Sequence, residues 1–358
     1  MPGPDCVIRQ ITSGSFAEAL RASDGNPGVF PLSASMDLTT ACNLRCRHCF
    51  LRHAHAKLKD MPTRDAEALL ETLRDLGVLF LVITGGEPLS HSDFKSVYLK
   101  AKRAGFVVTL FSNGTLLDDE ALDFLADVPP RRLELTIYGH TEPVYEAVTG
   151  VPGSFRRFRH GVEGLLRRGL LVRLKTMILR TNVHEAEAMR SWATGLGCDF
   201  RSDPIIHPRL NGDAAPLAER LAPEVVAELR QQDRRRRAAA GGAVAWPEEL
   251  PPRRHLFECG AGTMTLHVDA QGQAHPCLSW REDPFDLARN PTAKAWRQHV
   301  DAIRNRPAPG GRCDTCRERS RCSCCPALAI LETGKAAGAP TFFCQVVEEE
   351  NRKMSVVT

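Results

Sequence analysis

Leu32, Ala34, Met36 and Leu38 stand at every second position, the period of a strand with one buried face. This reading puts a first strand at 33–38 and others at 78–84, 106–111, 132–138, 171–177 and 199–206. Between them, helices are predicted over 62–76, 92–104, 118–126, 154–168 and 184–195. Thr63 is placed to cap the first helix, and Gly77, Gly105 and Gly169 follow three helices where a left-handed residue ends the last turn. Six strands joined by five right-handed crossovers make a parallel sheet. Upstream, a short helix is expected at Ser15 to Ala22 in a stretch broken by Gly and Pro. Downstream, Asp203 to Leu217 is a Pro-bearing exit and 218–240 reads as an Arg-rich amphipathic helix. Its run Arg234 to Arg237 is either a solvated face or a substrate-binding face. Gly241, Gly242, Pro247, Pro251 and Pro252 then mark a linker, and Met264 to Pro276 reads as a hairpin that delivers Cys277.

The candidate chemistry follows the first strand. Cys42, Cys46 and Cys49 are spaced C-x3-C-x2-C, so one loop can wrap three soft thiolates round a small iron-sulfur cluster. The rival is buried structural thiols, or a zinc site completed by His48 or His53. The second strand runs into Gly85-Gly86-Glu87-Pro88, where two glycines let backbone approach a ligand and a carbonyl or carboxylate can accept from an ammonium. With these two motifs one strand apart, the chain resembles the radical S-adenosylmethionine (SAM) enzymes. The resemblance implies a 4Fe-4S cluster on the three cysteines, with SAM chelating the fourth iron, and an α/β fold with a partial (β/α)6 barrel. Chemistry in such barrels gathers at the C-terminal ends of the strands.

The resemblance then assigns strand-end residues. Phe111 to Thr115 looks like the family's Asn-Gly turn, so Ser112 and Asn113 would reach SAM; the same turn also suits a purely structural loop. Thr136 supplies the hydroxyl of the family's fourth strand, while the role of Tyr138 stays open. Val148 to Phe155 resembles the segment that follows, with Thr149 where the family has Arg. Lys175 and Arg201 are candidates to replace that guanidinium against the SAM carboxylate, although Arg201 could equally pair with Asp203 at the surface.

Cysteines return after the linker as Cys259, Cys277, Cys313, Cys316, Cys322, Cys324, Cys325 and Cys344. Cys313 and Cys316 alone would suit a zinc ribbon. The full order resembles the SPASM domain of radical SAM enzymes, which holds two auxiliary 4Fe-4S clusters. That likeness puts Cys313, Cys316, Cys322 and Cys344 on the distal cluster. Cys259 and Cys277, with Cys324 or Cys325 or both, go to the nearer one, whose fourth iron is open or closed accordingly.

Composition changes this picture little. The chain has 358 residues, 43% hydrophobic and 25% charged, which suggests two main domains. The expected division is 1–31 as an extension, 32–215 as the radical SAM core, 216–253 as a helical linker and 254–358 as the auxiliary-cluster domain. A net charge of +4 does not point to nucleic acid, though the Arg-rich turns could receive an acidic peptide. No signal peptide and no membrane span are expected, because Asp5 interrupts the start and no long apolar run follows. Thirteen cysteines in such a chain point to metal binding in a reducing cytoplasm.

The expected activity is reductive cleavage of SAM to a 5'-deoxyadenosyl radical that takes a hydrogen from the substrate. The first choice of substrate is a ribosomally made precursor peptide, crosslinked through a thioether or carbon-carbon bond. The alternatives are dehydrogenation of a small molecule or protein side chain, and a non-catalytic electron carrier. Leu278 counts against the sulfatase-maturase branch, which has Asp after the matching cysteine. The short N-terminal stretch suggests a separate recognition protein, and a flavodoxin or ferredoxin would supply the electron.

Overall fold

The computed structural model describes residues 31–51, 60–241 and 249–355. Six parallel strands form the expected sheet: β1 Ser33–Asp37, β2 Phe80–Thr84, β3 Val107–Ser112, β4 Arg132–Thr136, β5 Val172–Met177 and β6 Asp199–Asp203. Helices α1 Thr63–Asp75, α2 Phe94–Arg103, α3 Asp119–Asp127, α4 Glu142–Thr149, α5 Ser154–Arg167 and α6 Ala186–Gly195 fall between them. Together they make an α/β fold, a partial barrel built on an open sheet. Its sheet has nine strands, because β7 Thr265–Val268 pairs in parallel with β1, and β8 Gln273–His275 and β9 Phe285–Asp286 continue it antiparallel. The hairpin expected next to Cys277 is therefore part of the barrel wall, with Ser35 opposite His267.

The two faces of the strands have different jobs. Met36, Leu81, Ile83, Val108, Leu110, Leu133 and Leu174 point outward and are fully buried against apolar residues of the helices such as Leu69, Leu70 and Leu73 of α1. Each such side chain contributes roughly 1.5–3 kcal/mol of burial. The alternate positions Ser35, Asp37, Thr84, Glu134, Thr136, Lys175 and Arg201 line an internal cavity. Most parallel sheets are apolar on both faces. A polar inner face means that the barrel encloses a chamber.

Several expectations are corrected. Pro62, not Thr63, holds the N-cap of α1, and the Thr63 hydroxyl donates to Asp93 instead. Helix α4 was not predicted: it has only eight residues, begins Glu142-Pro143 and gives little periodicity. The sixth helix starts only at Ala186, after a 3-10 turn at Val183–Glu185. The Arg-rich helix α7 spans Pro223–Ala239, later than expected, because a 3-10 turn at Ala215–Glu219 precedes it and Pro223 occupies its first turn. Three C-terminal helices follow, α8 Ala293–Arg304, α9 Pro326–Thr333 and α10 Thr341–Ser355. Ser15 to Ala22, His53, Gly242 and Pro247 lie outside the described residues. Gly77, Gly105 and Gly169 do have positive φ, at 91°, 90° and 72°.

Candidate active site

The loop after β1 and the turn after β2 are built as one unit. Gly86 N donates to Thr39 O at 2.7 Å and Glu87 N donates to Ala41 O at 2.8 Å. A Cβ on Gly86 would lie 2.1 Å from Ala41 O, and one on Gly85, whose φ is +131°, 2.4 Å from Thr39 O. The glycines are thus required where the turn meets the cysteine loop. Glu87 is fully buried and accepts from Ser112 Oγ (2.8 Å), Asn113 N (2.6 Å) and Leu89 N (3.2 Å). Burial pushes its carboxyl up to about 7 against those donors. Glu87 and Pro88, expected to contact a ligand, do not line the cavity, and Glu87 is spent on tying the second strand's turn to the third's. Gly85 and Gly86 do line it.

Cys42, Cys46 and Cys49 are electrostatic neighbours. Leu44 N lies 3.4 Å and Asn113 Nδ2 3.7 Å from Cys42 Sγ, donors suited to a thiolate. Burial nevertheless pushes Cys42 up to about 11 and Cys46 further, and the neighbouring thiolates add to both. A bound cation would offset that cost and favour the thiolates. His48, between two of them, is buried with its pKa held down to about 4 and packs on Tyr138, ring centroids 5.1 Å apart. Its Nδ1 has no hydrogen-bond partner among the described residues.

Ser112, Asn113, Thr136, Lys175 and Arg201 all line the same cavity. Ser112 and Asn113 also serve the loop: Asn113 Nδ2 donates to Asn43 Oδ1 at 2.9 Å, and its Oδ1 accepts from Thr115. Lys175 is opposite Thr136 in register. Its ammonium sits 2.9 Å from the centroid of the Phe111 ring and 3.8 Å from Glu134, and burial holds its pKa down to about 7. Glu134, which also meets Arg173 at 3.2 Å, was missed from sequence; its two-residue offset from Thr136 was the available signal. Arg201 is exposed on the edge strand, and among the described residues no ion pair joins it to Asp203. Thr149, where the resemblance expected Arg, bonds Ser154 Oγ at 2.8 Å and accepts Arg45 N at its carbonyl.

The later cysteines fall into two neighbourhoods. Cys277 has Cys325 and Cys259 as electrostatic neighbours, and Cys322 has Cys344, Cys313 and Cys316. Cys324 faces Cys322, Cys325 and Cys313, and its amide lies 3.4 Å from Cys322 Sγ. Burial raises the thiol pKa of Cys277, Cys322, Cys324 and Cys325. Among the described residues no three Cys, His, Asp or Glu side chains are packed as tightly as a single metal ion requires.

One chamber of about 1650 Å³ connects these parts. Cys42, Cys46 and Cys49 line it, as do Cys277 and Cys325; Cys259, Cys313, Cys316, Cys322, Cys324 and Cys344 do not. A polar wall at the β1–β7 seam was also missed. There His267 Nδ1 lies 2.8 Å from Ser35 Oγ, and its Nε2 lies 3.4 Å from Asp37. Small polar residues between the apolar positions of the first strand were its only trace.

Residues 36–193 match the Radical SAM superfamily. The chain is 24% identical over 345 residues to an AdoMet-dependent heme synthase of Nitratidesulfovibrio vulgaris, covering 87% of this chain and 91% of that protein. It is 26% identical to the mycofactocin maturase MftC of Mycolicibacterium smegmatis, covering 82% and 77%. Streptococcus suis SuiB bound to its precursor peptide SuiA superposes with a TM-score of 0.70 at 15% identity, covering 93% of this chain and 80% of that one.

Proposed function

We propose, from the premise that this chain is a radical SAM enzyme with the superfamily's domain at residues 36–193, that it oxidises a ribosomally made precursor peptide within the chamber. The observation that carries this reading is that the first cysteine triad, the Gly85-Gly86 turn and two later cysteines line one space. That space leaves room for a substrate segment beside SAM. Relatives named as peptide maturases and the SuiB fold with its precursor peptide support a peptide there.

SAM and a 4Fe-4S cluster are the cofactors the family implies, and together they supply a 5'-deoxyadenosyl radical that takes a hydrogen from an unactivated C–H bond. The residues present suit that pair. Cys42, Cys46 and Cys49 would hold the cluster, whose charge would offset the raised thiol pKa of Cys42 and Cys46. Gly85 and Gly86 offer backbone to the methionine part of SAM, Lys175 a cation for its carboxylate, and Ser112, Asn113 and Thr136 polar contacts.

Two auxiliary 4Fe-4S clusters complete the proposal, on Cys259, Cys277 and Cys325 and on Cys313, Cys316, Cys322 and Cys344. The electrostatic grouping supports that split, and Cys324, which neighbours members of both sets, is assigned as the spare thiol. Cys325→Ala is expected to lower iron content and abolish product while SAM cleavage continues, and Cys324→Ala to be milder. Iron analysis with quantified 5'-deoxyadenosine checks this. Equal iron loss in both variants, or greater loss for Cys324→Ala, rejects the assignment.

A flavodoxin or ferredoxin as electron donor, a separate recognition protein for the peptide and a reducing cytoplasm belong to the same proposal. Among the described residues no helix is long and apolar enough to cross a membrane. A second reading, oxidation of a tetrapyrrole-like small molecule, is favoured by the heme synthase likeness over most of both chains. The deciding experiment supplies the reduced enzyme with SAM and, separately, peptides encoded beside its gene and porphyrins. A peptide lighter by two hydrogens supports the first reading; oxidation of the porphyrin alone replaces it with the second.

A further inference from the structure

The Arg-rich stretch of α7 has no part in the radical chemistry, and the structure sorts its guanidiniums by what they meet. Arg230 and Arg234 both reach the buried carboxylate of Glu350 on α10, at 3.0 and 3.3 Å, and so pin the helix. Arg237 pairs with Asp233 one turn back at 2.7 Å. Arg236 also shares a carboxylate, that of Glu187 on α6 with Arg190, at 2.6 and 3.9 Å, but this one is exposed where Glu350 is buried. Arg201, on the neighbouring edge strand, has no carboxylate within ion-pair distance among the described residues.

Arg190, Arg201 and Arg236 line the same chamber. Arg190 lies 4.8 Å from the Phe200 ring of β6 and donates to Ser202 Oγ at 3.4 Å, so it is fixed against the strand that carries Arg201. Burial, and then the charge of Arg236, lowers its pKa, the mark of like charges held together. Lys175 stands next to Arg201 in register. The chamber as a whole is lined by eight Arg and Lys against five Asp and Glu, and every one of those cations except Arg45 belongs to β5, β6, α6 or α7. Those elements set seven cations against Glu187, Asp203 and Asp233, and a recessed wall with such an excess draws in negative charge. Guanidinium forks match carboxylates in particular.

We propose that Arg190, Arg201 and Arg236 receive carboxylates of the substrate, so that the enzyme takes a polycarboxylate and seats it on the β6–α7 side of the chamber. The inference rests on the radical SAM reading of that chamber as the substrate's space. Two sources carry this chemistry: the acidic side chains of a peptide and the propionates of a tetrapyrrole. Arg201, weighed from sequence as a SAM contact, goes to the substrate here, because it is exposed on the edge strand while Lys175 is buried.

The test uses the full chain, anaerobically reconstituted and with SAM present. Binding is measured for a short peptide of alternating Glu and Gly, its Gln-Gly counterpart, a porphyrin with free propionates, and that porphyrin as its methyl ester. One acidic probe should bind at least about tenfold more tightly than its neutral partner, and which one does so identifies the source. Arg201→Gln and Arg236→Gln should each weaken that probe on the order of tenfold and leave the neutral one unchanged. Arg236→Glu, near the exposed end of α7, should abolish the preference with the circular dichroism melt unaltered. Equal binding of acidic and neutral probes, no binding of either acidic probe, or variants that bind as the parent does would overturn the inference. SAM cleavage is followed in the same preparations. A chain that cleaves SAM but ignores carboxylates loses this inference alone, whereas one that never cleaves SAM loses the radical reading.

Discussion

Replacing Cys42, Cys46 and Cys49 together by Ala is expected to remove about four irons per chain and all SAM cleavage. The three thiols lie in one loop, where burial raises the thiol pKa of Cys42 and Cys46, a cost that a bound cation offsets. On the proposed assignment, removing them deletes one cluster's protein ligands while leaving the later cysteines untouched. Iron analysis and chromatographic quantification of 5'-deoxyadenosine are the readouts. Unchanged iron, or continued cleavage by the variant, would reject the assignment of the triad.

Gly86→Ala should be nearly as damaging although it removes no ligand. Its new Cβ would sit 2.1 Å from Ala41 O and 2.8 Å from Thr40 O, both backbone atoms that cannot swing away. The turn must lift off the cysteine loop and lose the Gly86 N to Thr39 O and Glu87 N to Ala41 O bonds. A cost on the order of 4 kcal/mol or more is expected, together with loss of the first cluster. Gly105→Ala serves as the control: its φ is +90°, so some strain is expected, but nothing lies within 4 Å of the added methyl. A Gly86→Ala protein with the parent's melting temperature and iron content would contradict this account of the turn.

The parallel sheet was legible because the strands carry an alternating period and three of the helices a stop signal. Gly77, Gly105 and Gly169 mark helix ends locally, and the structure places them at positive φ. Pairing between distant segments was not legible. β7 docks on β1 across more than two hundred residues, and nothing in Thr265 to Val268 names its partner strand. The division of labour in Gly85-Gly86-Glu87-Pro88 was hidden for a related reason. Whether Glu87 faces a ligand or the protein depends on Ser112 and Asn113, which arrive from the next crossover. Arg234 to Arg237 looked like one charge run, yet its members meet Glu350, Glu187 and Asp233 on different elements. Only tertiary contacts separate the guanidiniums that fix the helix from those left for a ligand.

The most direct test of the central claim needs no substrate. The reconstituted chain is reduced with dithionite in the presence of SAM under strict anaerobiosis, and 5'-deoxyadenosine and methionine are quantified by mass spectrometry. The account predicts that both products form in equal amounts and only when reductant, iron and the intact Cys42, Cys46 and Cys49 loop are present together. A fully iron-loaded, reduced protein that leaves SAM intact would contradict it.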